Sequence, residues 1–140
     1  CVYNINYHII WGKKYRNNWM TAALEDEIKQ ILIDIAKEKG FCIDHIEIGL
    51  DDHIHLLVTA PPKLSVTVIV KYLKGISSFR LFRLHPELKQ FYWKKTNPHI
   101  WSPSYFVESI GTTNADAVAK YIDDQRGKER KYDGDDTSNN

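Results

Sequence analysis

Apolar and polar residues recur along the chain with two periods, one typical of strands and one of helices. Leu24, Ile28 and Leu32 are four residues apart, and Val66, Val70 and Leu73 repeat with similar spacing, so each set marks the buried face of a helix. Stretches rich in β-branched and aromatic residues predict strands. The predicted strands are residues 2–11, 41–50, 53–59 and 105–110. The predicted helices are residues 21–39, residues 65–84 and a third that Thr113 or Asn114 caps, which runs to about residue 125.

The element order β-α-β-β-α-β followed by one helix predicts an α+β, ferredoxin-like (split βαβ) fold. Such a fold has a four-stranded antiparallel sheet with two helices on one face, and here a C-terminal helix is added. Only Asp51 and Asp52 separate the second and third predicted strands, so a tight hairpin is expected. Residues 1–132 are predicted to form one domain, and the polar, acidic residues 133–140 a disordered tail.

The composition favours a soluble protein with a core of its own. The chain has 140 residues, of which 43% are hydrophobic. It contains no apolar run of the roughly 20 residues that a membrane span needs. No pattern typical of a signal peptide opens the sequence, so a cytoplasmic location is expected.

Basic residues are concentrated in the middle of the chain. Between Pro61 and Phe106 there are eight Lys or Arg residues and one acid, Glu87. This distribution favours a polyanionic partner such as nucleic acid, although a solvated helix face would show the same pattern. The candidate DNA contacts are Lys13, Lys14, Arg16, Lys71, Lys74, Arg80, Arg83, Lys94 and Lys95.

The most specific local pattern is His53-Ile54-His55 in the third predicted strand. Residues i and i+2 of a strand point to the same face, so the two imidazoles should lie close enough to share a metal ion. Neutral imidazole is a common ligand of divalent metals. Two unrelated histidines near a hairpin are the alternative interpretation.

Tyr121 and Gln125 lie one turn apart on the third predicted helix. A phenol oxygen can attack phosphorus and hold it as a covalent ester. An amide oxygen is a hard ligand that suits Mg²⁺ or Mn²⁺. Alternatively, Tyr121 packs against the core and Gln125 is solvated, which spacing alone favours. Tyr15, Tyr92 and Tyr132 are rival nucleophiles that lack such a partner.

Six motifs occur in an order and at intervals that resemble one known family. They are Tyr7-His8-Ile9-Ile10-Trp11, Lys14-Tyr15-Arg16, residues 52–58 around the histidine pair, Tyr72-Leu73-Lys74-Gly75, residues 101–107 from Trp101 to Val107, and Tyr121-Ile122-x-x-Gln125. Together they resemble the single-tyrosine HUH transposases of the IS-two-hundred-like insertion sequences, over residues 2 to about 125. Gly12 and the stretch around Pro98 depart from the usual family pattern, at positions expected to lie outside the chemistry.

The resemblance implies a role for each site residue. His53 and His55 would bind the divalent metal, Gln125 would complete its site, and Tyr121 would be the nucleophile. It also implies a homodimer, with active sites that can combine the tyrosine helix of one subunit with the histidine pair of the other. The expected partner is single-stranded DNA with hairpin ends.

The hypothesis is therefore a metal-assisted transesterification through a 5′-phosphotyrosine, with no nucleotide cofactor. The ion, Mg²⁺ or Mn²⁺, would neutralise charge on the scissile phosphate. One rival is a non-catalytic single-stranded nucleic-acid-binding module, which would expose aromatic residues on its central strands. Another is a metal-dependent nuclease in which water attacks and no covalent adduct forms.

Overall fold

The predicted strand order and sheet are confirmed. A computed structural model of the chain describes residues 5–14, 19–49, 51–92, 99–111, 119 and 122–123. Its strands are Ile5–Trp11 (β1), Cys42–Ile48 (β2), Ile54–Ala60 (β3) and Phe106–Ile110 (β4), and its helices are Ala22–Lys39 (α1), Val66–Leu84 (α2) and the 3₁₀ helix Pro86–Phe91. The sheet has the order β2-β3-β1-β4, and all neighbouring strands are antiparallel. This is the split βαβ arrangement.

Helix α1 begins and ends at residues suited to those positions. The Thr21 side chain accepts a hydrogen bond from the Leu24 N–H at the N-terminus. Gly40 ends the helix with φ 84° and donates its N–H to Ala36 O. Between these caps, Ile28 and Leu32 are completely buried, as the spacing predicted. Burying a side chain of this size contributes about 1.5–3 kcal/mol.

Helix α2 buries Val70 and Leu73 as predicted, and Ile69 is buried too. Val66 is partly buried and packs against the core. The buried face also extends to Ser77, whose hydroxyl accepts a hydrogen bond from Trp101 Nε1 at 2.8 Å. A helix face with buried serines is invisible to a pattern of apolar residues alone.

Residues 99–102 lie outside the predicted strands, but in the structure they pair with the segment that follows β1. Lys14 N donates to Ile100 O, and Ser102 N donates to Gly12 O, both at 2.8 Å. Trp101 pairs with Lys13 as an isolated antiparallel bridge. Ile100 and Trp101 are buried. These contacts fix the segment that follows β1, where Gly12 lies beside His53.

The loop of the β2–β3 hairpin is longer than predicted. β2 ends at Ile48 and β3 begins at Ile54, so His53 lies in the loop rather than in the strand. Gly49 N donates to His53 O at 2.9 Å and Asp52 N donates to Gly49 O at 3.0 Å. Asp52 has φ 63°, the left-handed conformation that ends three-residue hairpin loops.

The sheet face opposite α1 and α2 is partly covered. His8, Leu57 and Thr59 all face this side and are buried. Residues 119, 122 and 123 are helical, Ile122 is buried, and Asp123 Oδ1 lies 3.0 Å from His45 Nε2 of β2. The C-terminal helical residues therefore pack against the second face.

None of the helices in the described part of the chain is both long and apolar enough to cross a bilayer. The tail predicted at residues 133–140 lies outside the described residues.

An ion-pair cluster where α2 ends makes folding stability depend on pH. His85 Nε2 lies 2.8 Å from Glu27 Oε2 of α1, and His85 Nδ1 lies 3.3 Å from Glu87 Oε1. The hydrogen bond to Glu27, followed by further contacts with both carboxylates, raises the pKa of His85 above its ordinary value. The cluster thus stabilises the fold fully below the unfolded pKa of about 6.5. That contribution is lost as pH rises through the higher folded pKa.

Glu27→Gln should therefore reduce stability at pH 5.5 and have little effect at pH 8.5. The expected loss at low pH is roughly 0.5–1 kcal/mol, in the range of surface ion pairs. Urea unfolding of both proteins across this pH range measures it, and a difference that grows towards high pH would contradict the assignment. Glu38→Gln, which removes an acid paired with Arg80 instead, is the control.

Candidate active site

His53 is held in the hairpin loop by the aspartate two residues before it. Asp51 Oδ2 lies 2.7 Å from His53 Nδ1, and Asp51 Oδ1 accepts a hydrogen bond from His53 N at 3.1 Å. Both side chains are about half exposed. The ring is therefore oriented by hydrogen bonds rather than by packing.

The end of β1 lies directly beside the His53 ring. A Cβ atom on Gly12 would lie 2.9 Å from His53 Nε2, closer than the Cβ atoms of real side chains approach other heavy atoms. Lys13 Nζ is 2.7 Å from Asp52 Oδ2, and the Lys13 side chain is only 6% exposed. This ion pair ties the loop to the segment that follows β1, where Gly12 lies beside the His53 ring.

His55 lies on the second sheet face and is packed against another histidine. Its ring stacks on His8 of β1, with centroids 6.0 Å apart and planes inclined by 25°. His8 Nδ1 lies 3.4 Å from Glu108 Oε1 of β4. Burial, and then the nearby His8, lower the pKa of His55 below its ordinary value. The ring is thus kept neutral near pH 7, the form that binds metals.

Tyr121 and Gln125 lie outside the described residues, but the helical turn that includes Ile122 and Asp123 has a defined position. The hydrogen bond from His45 to Asp123 holds that turn against β2. His45 pairs with Leu57 and Glu47 pairs with His55 in the β2–β3 register. From strand geometry, the Cα atoms of His45 and His55 are therefore about 8 Å apart. Asp123, two residues after the predicted nucleophile, thus lies on the same sheet face as His55.

Of the rival tyrosines, Tyr92 is a core residue. It is 2% exposed, its hydroxyl accepts a hydrogen bond from Trp19 Nε1 at 3.1 Å, and it donates to Ile100 O at 3.4 Å. A phenol so enclosed cannot reach a phosphodiester. Tyr15 and Tyr132 lie outside the described residues.

A basic cleft runs between α2 and residues 99–103. One part of the cleft has a volume of about 240 Å³. It is lined by Lys14, Lys74, Gly75, Ser78, His99, Trp101, Ser102 and Pro103. A neighbouring part of about 560 Å³ adds Phe79, Phe82, Arg83 and Lys89. None of these described lining residues is acidic. Arg83, Lys14, Lys74 and Lys89 line the cleft, so the cleft presents positive charge.

Several of the predicted DNA contacts are already engaged within the protein. Lys74 Nζ donates to Ser102 O at 2.5 Å and to Ser104 O at 3.3 Å, and burial lowers the pKa of the Lys74 ammonium. Arg80 Nη2 lies 2.7 Å from Glu38 Oε2 of α1. Lys13 is likewise engaged, because its ammonium pairs with Asp52. Arg16, Lys94 and Lys95 lie outside the described residues.

The structure adds four residues to the predicted site: Gly12, Asp51, His8 and Glu108. His8 and Glu108 meet only because β1 lies between β3 and β4, which the sequence does not show directly. Asp51 had a usable signal, because an Asp two residues before a loop residue commonly bonds that residue's N–H. Within the described residues, no three His, Cys, Asp or Glu side chains cluster as a metal site, so Gln125 as third ligand stays a prediction.

Comparison with known proteins supports one family throughout. Residues 1–125 match the family model for IS200-like transposases. The chain is 37% identical to the ISDra2 transposase TnpA of Deinococcus radiodurans, over 91% of this chain and 89% of that protein. It is 33% identical to the transposase for insertion sequence element IS200 of Salmonella typhimurium, over 88% of this chain and 78% of that protein.

Solved structures agree with the fold. A crystal structure of a proposed transposase from Deinococcus radiodurans R1 aligns with a TM-score of 0.68 and 36% identity, covering 90% of this chain and 94% of that one. A REP-associated tyrosine transposase bound to a REP hairpin aligns with a TM-score of 0.59 at 14% identity, covering 86% and 66%. The second likeness concerns the fold alone. Taken with the family model and the identities, these likenesses place the chain in the IS200-like transposase family, whose members cut and rejoin DNA.

Proposed function

We propose that this transposase cuts and rejoins single-stranded DNA at the ends of its element through a 5′-phosphotyrosine on Tyr121. In this proposal His53, His55 and Gln125 hold a divalent metal, Mg²⁺ or Mn²⁺. The observation that carries it is the position of the C-terminal helical turn. Asp123, two residues after Tyr121, is bonded to His45 on the same sheet face as His55.

The residues present fit a metal ion. His55 has its pKa lowered, so its ring is available as a neutral ligand. The Gly12 position leaves space at His53 Nε2 that a Cβ would fill. When bound, the ion supplies positive charge that stabilises the scissile phosphate as negative charge develops on its oxygens.

The covalent step is assigned to Tyr121. Its phenol oxygen forms a bond to phosphorus while the bond from phosphorus to the 3′ oxygen breaks. The phenol proton is lost to the surroundings, and the leaving oxygen takes up a proton as a 3′-hydroxyl. A second 3′-hydroxyl then attacks the phosphotyrosine and releases Tyr121. The phosphodiester energy is retained in the ester, so no nucleotide cofactor is needed.

The basic cleft is the proposed contact for the DNA backbone. Lys71 and Arg83 are exposed on α2, and flexible single strands suit such positively charged grooves. The structural relative described above was solved with a bound hairpin, which supports hairpin ends as the substrate. Lys14, Lys74 and Lys89 line the cleft with Arg83.

A homodimer is proposed with the edge strand β4 at the interface. β4 is at the end of the sheet order, so one of its sides pairs with no other strand in the described part of the chain. Phe106, the first residue of β4, is 54% exposed, and the preceding Tyr105 is 42% exposed. An exposed apolar edge strand is a template for pairing with a second chain. Exchange of tyrosine helices between subunits, implied by the resemblance, stays a prediction.

The test is incubation of a hairpin-bearing single-stranded oligonucleotide with the protein and Mn²⁺, followed by a denaturing gel. A DNA band linked to protein, formed without ATP, is expected. Cleavage with no linked band would favour attack by water. Binding without cleavage would favour the non-catalytic module.

Gly12→Ala should weaken Mn²⁺ binding while leaving the fold nearly intact. The added Cβ would meet His53 Nε2 at 2.9 Å, and the half-exposed ring can swing away at little cost to folding. Displacing a ligand should lower metal affinity by at least about tenfold. Titration followed by electron paramagnetic resonance of Mn²⁺ measures this, and Gly75→Ala, whose Cβ would meet nothing within 4 Å, is the control. Equal affinity in Gly12→Ala and wild type would contradict the assignment of His53.

A further inference from the structure

We infer that Asp51 is a positioning residue for the metal ligand His53, and that it fixes the ring with Nε2 free to take a divalent cation. This inference rests on the proposed metal site. It goes beyond that site by assigning a role to a carboxylate that does not touch the metal itself. The role is to select one of the two neutral forms of the His53 imidazole.

Both oxygens of the Asp51 carboxylate are used by the same residue. Oδ1 accepts from the His53 backbone N–H at 3.1 Å, and Oδ2 lies 2.7 Å from His53 Nδ1. The backbone bond sets the plane of the carboxylate, and the second oxygen then sets the plane of the ring. An ionised carboxylate can only accept hydrogen bonds, so His53 Nδ1 must donate.

The loop that carries this pair is itself anchored. Gly49 N donates to His53 O at 2.9 Å, and Asp52 is paired with Lys13 at 2.7 Å. The Lys13 side chain is almost fully buried, which makes that pair resistant to screening by salt. The two consecutive aspartates thus have separate roles, since Asp52 fixes the loop and Asp51 fixes the ring.

The direction of the Nδ1 bond decides where a metal can bind. A neutral imidazole has one N–H, so a proton on Nδ1 leaves a lone pair on Nε2. Nε2 is the atom that faces the space left by Gly12. A carboxylate that bonds the other nitrogen of a metal-binding histidine is a recurrent arrangement, and it raises the basicity of the ligand.

The second ligand is held differently. His55 Nδ1 is buried and has no hydrogen-bond partner in the part of the chain that the structure describes, and the ring is positioned by stacking on His8. Asp51 acts on His55 only through its charge, so loss of Asp51 should disturb the orientation and proton position of the His53 ring and leave those of His55 unchanged. This asymmetry gives the experiment an internal control within one protein.

The test compares wild type with Asp51→Asn and Asp51→Ala by two measurements. Nitrogen-15 NMR of metal-free protein at pH 8 reports which nitrogen of each histidine carries the proton. We expect Nδ1–H for His53 in wild type, a mixture of forms in Asp51→Ala, and an unchanged His55 in both variants. Mn²⁺ titration should show affinity weakened about 10- to 100-fold, whereas Glu38→Gln, which removes a distant acid, should match wild type.

The outcomes separate this inference from the proposed function. A wild type that binds no Mn²⁺ would overturn the metal site itself. If wild type binds Mn²⁺, a proton on His53 Nε2 in the metal-free protein would overturn the role of Asp51. The same conclusion would follow if Asp51→Asn and Asp51→Ala both kept the wild-type affinity. Circular dichroism melting of each variant checks that the fold is retained.

Discussion

Tyr121→Phe should abolish the protein-linked DNA band and lower cleavage of a hairpin substrate by at least about a thousandfold, as loss of a nucleophile does in other enzymes. The substitution removes one oxygen atom and keeps the aromatic ring. Packing next to the buried Ile122 and the bond from Asp123 to His45 should therefore persist. DNA binding, measured by gel shift with the same oligonucleotide, should change little.

Tyr72→Phe is the matched control, because Tyr72 lies on α2 beneath the Lys39 ammonium and away from the histidine pair. It should form the linked band as wild type does. A linked band that persists in Tyr121→Phe would show that another tyrosine is the nucleophile. Tyr15 and Tyr132 would then be tested in the same way, since Tyr92 is enclosed in the core.

Removing either histidine of the pair should have the second large effect. His53→Ala and His55→Asn should each reduce Mn²⁺ binding and lower cleavage by about a thousandfold. A bound metal contributes several kcal/mol of transition-state stabilisation, and each 1.36 kcal/mol corresponds to about a tenfold change in rate. Chelation of the metal from wild type should reproduce the loss, and added Mn²⁺ should restore wild type alone.

The two variants differ in their expected effect on stability. His53 is about half exposed in a loop, so its removal should leave the melting temperature nearly unchanged. His55 stacks on the buried His8, so Asn is used there to limit the loss of packing. His85→Gln, which affects a histidine at the end of α2, should retain full Mn²⁺ affinity. Cleavage at the wild-type rate by His53→Ala under chelator would refute metal assistance.

Local sequence patterns predicted the helices and strands, because these form mainly through interactions between residues close together along the chain. Thr21 and Gly40 cap the two ends of α1, and the alternation of Ile54, Leu56 and Val58 specified which side of β3 packs into the core with the helices. The motifs of the first strand, the histidine pair and the last helix were likewise sufficient to identify the family.

Contacts between distant segments were decided only by the tertiary structure. The hairpin loop begins after Ile48, earlier than the pattern implied, and Gly49 closes it through bonds to Asp52 and His53. Helix α2 turns its serines inwards because Ile100 and Trp101 bond to them.

The sequence by itself determined the order of strands and helices, the family and the identity of the candidate ligands and nucleophile. These follow from residue type and spacing, which hydrophobic burial and backbone geometry convert directly into local structure. Only the tertiary structure brought Gly12 next to the His53 ring and placed His8 against His55. The orientation of a side chain depends on which atoms surround it in space, and strand pairing supplies those atoms from remote parts of the chain.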